Sequence, residues 1–215
     1  MRAVVRRNRQ LVCDEIAELQ PAEGQVLVKT LACGICGSDL HALHHMEHMI
    51  DLSRRAGGSD NGFDPSADTV FGHEFCAEIL DHGPGSSKAL KAGTRVVSIP
   101  ATLTAGVVEL LGFSNRLPGG FSERMLLSEA LVLEVPNGLS TEHAALTEPF
   151  AVGLHAVAKA RMDANSVALV VGCGPVGLAV IAALKAAGHG PVIAADFSPR
   201  RRAAAAIATS LRPGR

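Results

Sequence analysis

The sequence predicts a mostly antiparallel β domain followed by the first part of an α/β domain built on parallel strands. In the first two-thirds of the 215 residues, short β-rich segments are separated by turns such as Gly83-Pro84-Gly85 and Pro136-Asn137-Gly138. Further along, Ala-rich helical segments alternate with two short apolar runs, which is typical of strands buried in a parallel sheet. We place the boundary after Phe150, which gives domains of residues 1–150 and 151–215.

The predicted strands of the β domain are short segments rich in β-forming residues and punctuated by Pro and Gly. The segment that begins at Gln25, for example, directly follows the turn Pro21-Ala22-Glu23-Gly24. In chain order the predicted strands cover residues 1–5, 25–32, 75–80, 94–99, 121–127 and 131–135.

The second part is predicted to be a βαβ unit with a helix on either side of it in the sequence. Ser140 or Thr141 is suited to cap a helix that runs to about Ala160. Ser198-Pro199 is suited to start the last helix, because Pro is favoured at the first helical position. Between them the sequence predicts a strand over residues 166–171, a helix to about residue 187 and a strand over residues 191–196.

Composition excludes several classes of function. The chain is 47% hydrophobic with a formal net charge of −1, so a packed core is feasible and neither nucleic acid nor an anionic membrane is an expected partner. Trp and Tyr are absent, which leaves few aromatic rings for stacking on bases. No apolar run reaches about 18 residues, and the N-terminus lacks an apolar signal core. The number of cysteines, five, is odd and fits reduced thiols or metal ligands better than a set of disulfides. Together with the missing signal core, this leads us to expect a cytoplasmic protein.

Two short motifs combine side chains that bind metals and move protons. Residues 34–41 read Gly-Ile-Cys-Gly-Ser-Asp-Leu-His, and residues 72–74 read Gly-His-Glu. Cys36 can supply a thiolate and His73 an imidazole to a zinc ion, and Glu74 is a further oxygen ligand or an outer-sphere acid. The alternative is that Cys36 is a small buried hydrophobe and His73 a hydrogen-bonded core residue.

Three polar residues in the first motif are candidates for catalysis. Asp39 can orient His73 through the ring nitrogen that does not bind metal. Ser38 and His41 can form a chain that carries a proton from an alcohol to solvent.

A glycine loop, residues 172–177, has the pattern of a dinucleotide-binding fingerprint. It follows a predicted strand and opens a predicted helix. Gly172 permits the tight turn, Gly174 lets the backbone approach a pyrophosphate, and Gly177 lets helix and strand pack closely. Asp196 ends the next strand, where a carboxylate binds ribose hydroxyls and favours NAD over NADP. An Arg near this carboxylate can accommodate a 2′-phosphate, so Arg200, Arg201 and Arg202 keep NADP as an alternative cofactor. The other interpretation is that these three residues only form the solvated start of a helix.

These motifs together resemble those of the zinc-dependent medium-chain alcohol and polyol dehydrogenases. The resemblance extends over the whole chain and includes Pro118-Gly119-Gly120-Phe121-Ser122-Glu123 and the segment from Glu148 to Ala156. It implies a GroES-like N-terminal domain that holds one catalytic zinc, the first part of a Rossmann domain that binds NAD, and hydride transfer between a secondary alcohol or polyol and NAD. It also implies that Glu148 is a third or fourth zinc ligand, as in the polyol branch.

The resemblance also predicts differences from the family. A structural zinc needs four thiolates, and the segment of residues 99–112, where the family carries them, has no cysteine, so we expect no structural zinc. Residues 46–68 look like an insertion, with a flexible loop over residues 57–62. The chain ends earlier than members of this family do, so we expect a truncated product. The full-length form is a candidate homo-oligomer.

Alternatives remain at the level of motif and of function. Cys33 and Cys36 spell Cys-x-x-Cys, a redox or structural-zinc pattern, although the context for either is missing. Four histidines share one helical face and form either a metal-binding face or a solvated cluster: His41, His44, His45 and His48. The rival functions are a non-catalytic zinc- or nucleotide-binding fragment and a fragment that does not fold. A zinc-free quinone reductase is disfavoured by Cys36 and His73.

Overall fold

The computed structural model describes residues 1–58, 63–104, 107–163 and 165–210. These residues form two compact units, Met1–Leu146 and Thr147–Arg215. The boundary between the units therefore lies after Leu146, whereas the sequence analysis places the domain boundary after Phe150.

The first unit is built on antiparallel strands in three sheets. A five-stranded sheet has the order β10-β6-β5-β3-β9, a three-stranded sheet has the order β2-β1-β4, and β7 pairs with β8 in a hairpin. The strands are β1 Arg2–Arg7, β2 Gln10–Glu15, β3 Gln25–Cys33, β4 Thr69–Val70, β5 Phe75–His82, β6 Arg95–Ser98, β7 Ala101–Thr104, β8 Val107–Leu110, β9 Arg124–Ser128 and β10 Val132–Glu134.

The largest buried cluster of this unit lies on one face of the large sheet, and a second cluster that includes Cys76 and Val97 lies on the other face. Side chains that alternate along β3, β5 and β9 are fully buried in the largest cluster: Val26, Val28, Phe75, Ala77, Ile79, Met125 and Leu127. The period of two residues is that of side chains on the same face of a strand. The predicted strands over residues 25–32, 75–80 and 94–99 correspond to β3, β5 and β6.

Two helices also belong to the first unit, α1 Gly37–Arg55 and α2 Thr141–Ala145. Ser140 caps α2, because its side chain accepts a hydrogen bond from the amide of His143. The predicted helix over residues 142–160 is interrupted at Leu146, and α3 Thr147–Ala160 starts the second unit.

Helix α1 occupies much of the segment that was interpreted as an insertion. It covers residues 46–55 of that segment, and it has non-helical backbone angles at His45 (φ −126°, ψ 30°). Its buried side chains are Asp39, Ala42 and Met46, so this face packs against the body of the unit. Residues 59–62 of the predicted flexible loop lie outside the described residues.

The second unit contains the predicted βαβ arrangement. It consists of α3, β11 Ala168–Val171, α4 Pro175–Ala186, β12 Val192–Ala195 and α5 Pro199–Ser210. β11 and β12 pair in parallel, with Leu169 opposite Ile193. Val170, Ile181, Leu184 and Ala205 form its buried core, which joins the two strands to α4 and α5.

Candidate metal centre and nucleotide site

Strand pairing brings the two metal-binding motifs together. In the β3–β5 register, Cys33 lies opposite Phe75, so the residues just after β3 lie beside those just before β5. The amide of Gly34 donates a 2.7 Å hydrogen bond to the carbonyl of Glu74 and extends this pairing by one step. The chain then turns into α1, whose first residues carry the other polar side chains of the motif.

Cys36, His73 and Glu74 form one group of potential ligands, which we call the Cys-His-Glu site. One ligand atom from each side chain lies within 4.8 Å of the other two. His73 and Glu74 are buried, with 9% and 8% of their surface exposed, and Cys36 is half-buried. A thiolate, an imidazole and a carboxylate are the ligand types that zinc takes in proteins, so the residues present fit a zinc ion.

Asp39 holds this site together through both carboxylate oxygens. Oδ2 accepts a 3.1 Å hydrogen bond from the amide of Cys36, which caps the start of α1. Oδ1 lies 3.3 Å from Nδ1 of His73, a close charge contact in which neither atom makes a well-aligned hydrogen bond. Asp39 is only 2% exposed, so little solvent competes for either contact.

The pKa of the His73 imidazole reflects these neighbours. Burial lowers it, but the contacts with Asp39 and Cys36 outweigh burial and raise the pKa to about 9. The acidic neighbours of His73 therefore favour a positive charge on its ring.

Ser38 lies next to the same imidazole on its other side. Its Oγ is 3.4 Å from Nε2 of His73, so the hydroxyl faces the nitrogen opposite the Asp39 contact. His41 lies one turn further along α1 and is exposed, with its ring centroid 4.9 Å from that of His45. The catalytic roles of Ser38, His41 and Asp39 stay predictions.

Small residues around the Cys-His-Glu site are required by close packing. A Cβ on Gly34 would collide with Oε2 of Glu74, so this carboxylate lies directly on the backbone before α1. Gly72 has a φ of +100°, a conformation that favours glycine, and it sets the path of the chain into His73.

The Pro118–Glu123 motif is hydrogen-bonded through its backbone to the two residues that precede His73. The amide of Gly120 donates to the carbonyl of Gly72 (2.7 Å), and the amide of Phe121 donates to that of Phe71 (2.9 Å). This pairing is why β9 starts at Arg124 and not at Phe121, where the predicted strand begins. The motif positions the ligand loop and supplies no ligand among the described residues.

Phe113 is a neighbour of the site that the sequence analysis missed. Its ring centroid lies 5.7 Å from that of His73 and 6.0 Å from that of Phe71. Phe113 packs against the buried cluster formed by Ala42, Met46 and Phe71. It follows the β7–β8 hairpin, which occupies the cysteine-free segment of residues 99–112, and no short motif in the sequence marks it.

The remaining cysteines do not gather into a second thiolate site among the described residues. All five cysteines are free thiols. Burial, followed by the charge of Asp39, raises the pKa of Cys33 to about 12, and burial also raises the pKa of Cys76. Both are therefore neutral thiols suited to packing.

Glu148 belongs to the second unit and lies in the first turn of α3. Its role as a zinc ligand stays a prediction from the resemblance.

The glycine loop gives each of its three glycines a distinct structural role. Gly172 has a φ of +98°, so the turn after β11 favours glycine. A Cβ on Gly177 would collide with the carbonyl oxygen of Gly172, which explains the close packing of helix on loop. A Cβ on Gly174, the N-cap of α4, would meet nothing within 4 Å. The space at Gly174 is open at a helix N-terminus, a place where backbone amides favour a phosphate.

Asp196 fixes this loop to the end of β12. Its Oδ2 accepts a 2.9 Å hydrogen bond from the amide of Cys173, and its Oδ1 accepts a 2.7 Å bond from the amide of Ser198. These two amides, followed by the charges of Arg201 and Arg202, lower the pKa of Asp196. Nη1 of Arg202 donates to the carbonyls of residues 196 and 197, at 2.7 and 3.0 Å.

The antiparallel unit with its Cys-His-Glu site, followed by a βαβ unit with a dinucleotide fingerprint, defines a class of dehydrogenase. Residues 22–137 match the family model described as the alcohol dehydrogenase GroES-like domain, and the chain belongs to this family of zinc-dependent medium-chain dehydrogenases. This confirms the predicted fold class, a GroES-like β domain followed by the first part of a Rossmann domain.

Two dehydrogenases of Bacillus subtilis are similar in sequence to most of this chain. The chain is 38% identical over 203 residues to (R,R)-butanediol dehydrogenase of Bacillus subtilis, covering 91% of this chain and 57% of the relative. It is 33% identical over 216 residues to sorbitol dehydrogenase of the same organism, covering 94% of this chain and 57% of the relative. The chain thus spans a little over half the length of these relatives.

Two solved structures of dehydrogenases have a similar fold over most of this chain. The crystal structure of 2R,3R-butanediol dehydrogenase from Bacillus subtilis has a TM-score of 0.78 at 36% identity, over 96% of this chain and 61% of that one. An alcohol dehydrogenase from Escherichia coli, solved with NADH, has a TM-score of 0.80 at 26% identity, over 97% of this chain and 60% of that one. None of the helices within the described residues is long and apolar enough to span a membrane.

Proposed function

We propose that the protein is a zinc-dependent oxidoreductase that transfers hydride between a secondary alcohol or polyol and NAD. The observation that carries the proposal is the Cys-His-Glu site, whose ligand atoms lie within 4.8 Å of one another in a GroES-like unit. The relatives named for butanediol and sorbitol oxidation support a vicinal diol or polyol as the substrate class.

The zinc would be held by Cys36, His73 and Glu74, with Glu148 as a further ligand. When bound, zinc supplies Lewis-acid polarisation of the alcohol oxygen and NAD supplies the hydride acceptor. Asp39 fixes the His73 ring through Nδ1, which leaves Nε2 as the nitrogen on the side of Ser38.

The proton of the alcohol would leave through side chains of α1. Ser38 has its hydroxyl 3.4 Å from Nε2 of His73, so it lies next to a ligand atom and can accept the proton as it releases its own. His41, exposed one turn later on the helix, would pass the proton to solvent.

The nucleotide would lie on the glycine loop. Gly174 leaves room for the pyrophosphate at the N-terminus of α4, and Gly172 and Gly177 maintain the turn. Asp196 keeps lone pairs on both oxygens for ribose hydroxyls, and its negative charge disfavours a 2′-phosphate, so we propose NAD over NADP.

Metal analysis tests the zinc part of the proposal. We expect about one zinc per chain in the parent and in Cys13→Ser, an exposed cysteine on β2 that serves as control. We expect zinc to be lost in Cys36→Ser and His73→Ala. A parent without zinc, or equal zinc in all four proteins, would overturn the assignment.

Binding and turnover are measured separately for the hydride-transfer part. Calorimetric titration with ADP-ribose reports the glycine loop, and oxidation of 2,3-butanediol or sorbitol with NAD reports catalysis. Turnover supports the enzyme. Binding of ADP-ribose and zinc without turnover would instead identify the non-catalytic fragment of such an enzyme, the alternative function.

A further inference from the structure

The exposed face of α1 carries a pair of histidines that the proposed chemistry does not fully use. His41 and His45 are four residues apart on α1, which is kinked at His45, and it is the observed ring contact that shows the two side chains to be neighbours. Both are exposed, and their ring centroids lie 4.9 Å apart. We propose that His41 and His45 form a second, surface site for a divalent transition-metal ion, separate from the Cys-His-Glu site.

The separation of the rings fits chelation of one ion by both. An ion about 2.0–2.1 Å from one nitrogen of each imidazole lies about 3.2 Å from each ring centroid. With centroids 4.9 Å apart, the two ligand directions then meet at the ion at about 100°, close to the tetrahedral angle that zinc prefers. Because both rings are exposed, rotation about χ2 is free to turn a nitrogen of each towards the ion.

The surroundings of the pair permit a cation. Glu47, two residues beyond His45 on the same helix, adds a carboxylate that is paired with Arg9 at 3.2 Å. His44 has its ring centroid 6.4 Å from that of His45, too far to complete the coordination without movement. Within the described residues, no group of three or more ligating side chains includes His41 or His45. The site therefore has two protein ligands, and water completes its coordination.

The ligand type predicts which metals bind. Imidazole suits copper, nickel and zinc, whereas manganese and magnesium favour oxygen ligands. Affinity at the pair is expected to follow the general order Mn²⁺ < Ni²⁺ < Cu²⁺. This order distinguishes the pair from an acidic surface patch, which would bind Mg²⁺ and Mn²⁺ as well.

Nickel titration of the tag-free, reduced full chain tests the site. Ni²⁺ is titrated by calorimetry into protein that carries no more than one equivalent of zinc, so that the surface pair is free of zinc, with magnesium as the negative probe. We expect one Ni²⁺ to bind in the parent, and its affinity to fall at least about tenfold in His45→Gln and in His41→Gln, since loss of an outer-shell partner alone costs about 10–100-fold. Gln is a good helix former, and far-UV circular dichroism checks that α1 is retained.

Two further variants locate the ion. His48→Gln, on the same helix face but outside the ring contact, should bind Ni²⁺ as the parent does. Cys36→Ser, which disables the Cys-His-Glu site, should also retain it. The proposal is overturned by a parent that binds no Ni²⁺, by unchanged affinity in His45→Gln, by an equal loss in His48→Gln, or by a loss confined to Cys36→Ser. Because the readout is binding, it is independent of whether the chain oxidises alcohols.

Discussion

The substitution Gly72→Ala probes the support of the metal-binding loop. Gly72 directly precedes His73 and has a φ of +100°. A Cβ there would lie 2.8 Å from the backbone nitrogen and a ring carbon of Phe121, and 2.9 Å from Sγ of Cys33. Cys33 lies in β3 and the amide of Phe121 is hydrogen-bonded to the carbonyl of Phe71, so these atoms have little room to withdraw.

The expected cost has two parts. Holding alanine in this backbone conformation costs about 1–3 kcal/mol, and the overlap costs about 1–3 kcal/mol more. The free energy of unfolding should therefore fall by about 2–6 kcal/mol. Gly24→Ala is the matched control, because Gly24 also has a positive φ, +73°, but a Cβ on it would meet nothing within 4 Å. Only the backbone cost applies there, about 1–2 kcal/mol.

Urea unfolding of the zinc-loaded proteins measures the difference. Far-UV circular dichroism is the suitable signal, since the chain contains no Trp and no Tyr. Gly72→Ala should have the lower midpoint and should also contain less zinc after purification, because the backbone shift reaches His73. Equal midpoints for Gly72→Ala and Gly24→Ala, with equal zinc, would refute the packing argument.

Three further outcomes are expected. Asp39→Asn should weaken zinc binding about 10–100-fold in a chelator competition, and unchanged affinity would show that the contact with the imidazole does not orient it. At pH 8 the buried thiol of Cys33, whose pKa is raised to about 12, should be alkylated by iodoacetamide about 10³-fold more slowly than exposed Cys13, and its rate should rise with pH, because only the thiolate reacts; similar rates by peptide mass spectrometry would contradict the burial. Gly174→Ala should weaken ADP-ribose binding at least about tenfold with little change in stability, because its Cβ would lie in the open space proposed for the pyrophosphate. Gly177→Ala should lower the free energy of unfolding by about 1–3 kcal/mol, because its Cβ would collide with the carbonyl oxygen of Gly172. The reverse pattern would show that Gly177 faces the nucleotide and Gly174 the packed loop.

Much of the fold could be predicted because its strands are marked locally. The predicted strands at residues 25–32 and 75–80 correspond to β3 and β5, since β-rich runs bounded by turn residues encode both ends. The β7–β8 hairpin was missed, and so was β2. The exposed strand β8 lacks the alternation of a strand with one buried face, and its exposed residues include Val107, Val108 and Leu110.

The polar side chains that meet at the candidate site, including Asp39 beside His73, could be predicted from the two motifs, whereas their ligand roles stay predictions. Cys36 and His73 belong to motifs whose chemistry is visible in the residue types. The supports Gly72 and Phe113 act through contacts between distant segments, which depend on how the sheet closes. The catalytic roles, the ligand role of Glu148, the absence of a structural zinc, the homo-oligomer and the cytoplasmic location stay predictions.

The ring contact between Phe113 and His73 has a consequence for how this lobe can vary. Phe113 lies three residues after the end of β8, its ring contacts His73, and it packs against the cluster of Ala42, Met46 and Phe71. We expect a change in hairpin length to shift Phe113 and thereby tilt the imidazole, with no side chain of the Cys-His-Glu site altered. Hairpin length is therefore expected to vary the geometry of this site without a substitution in it.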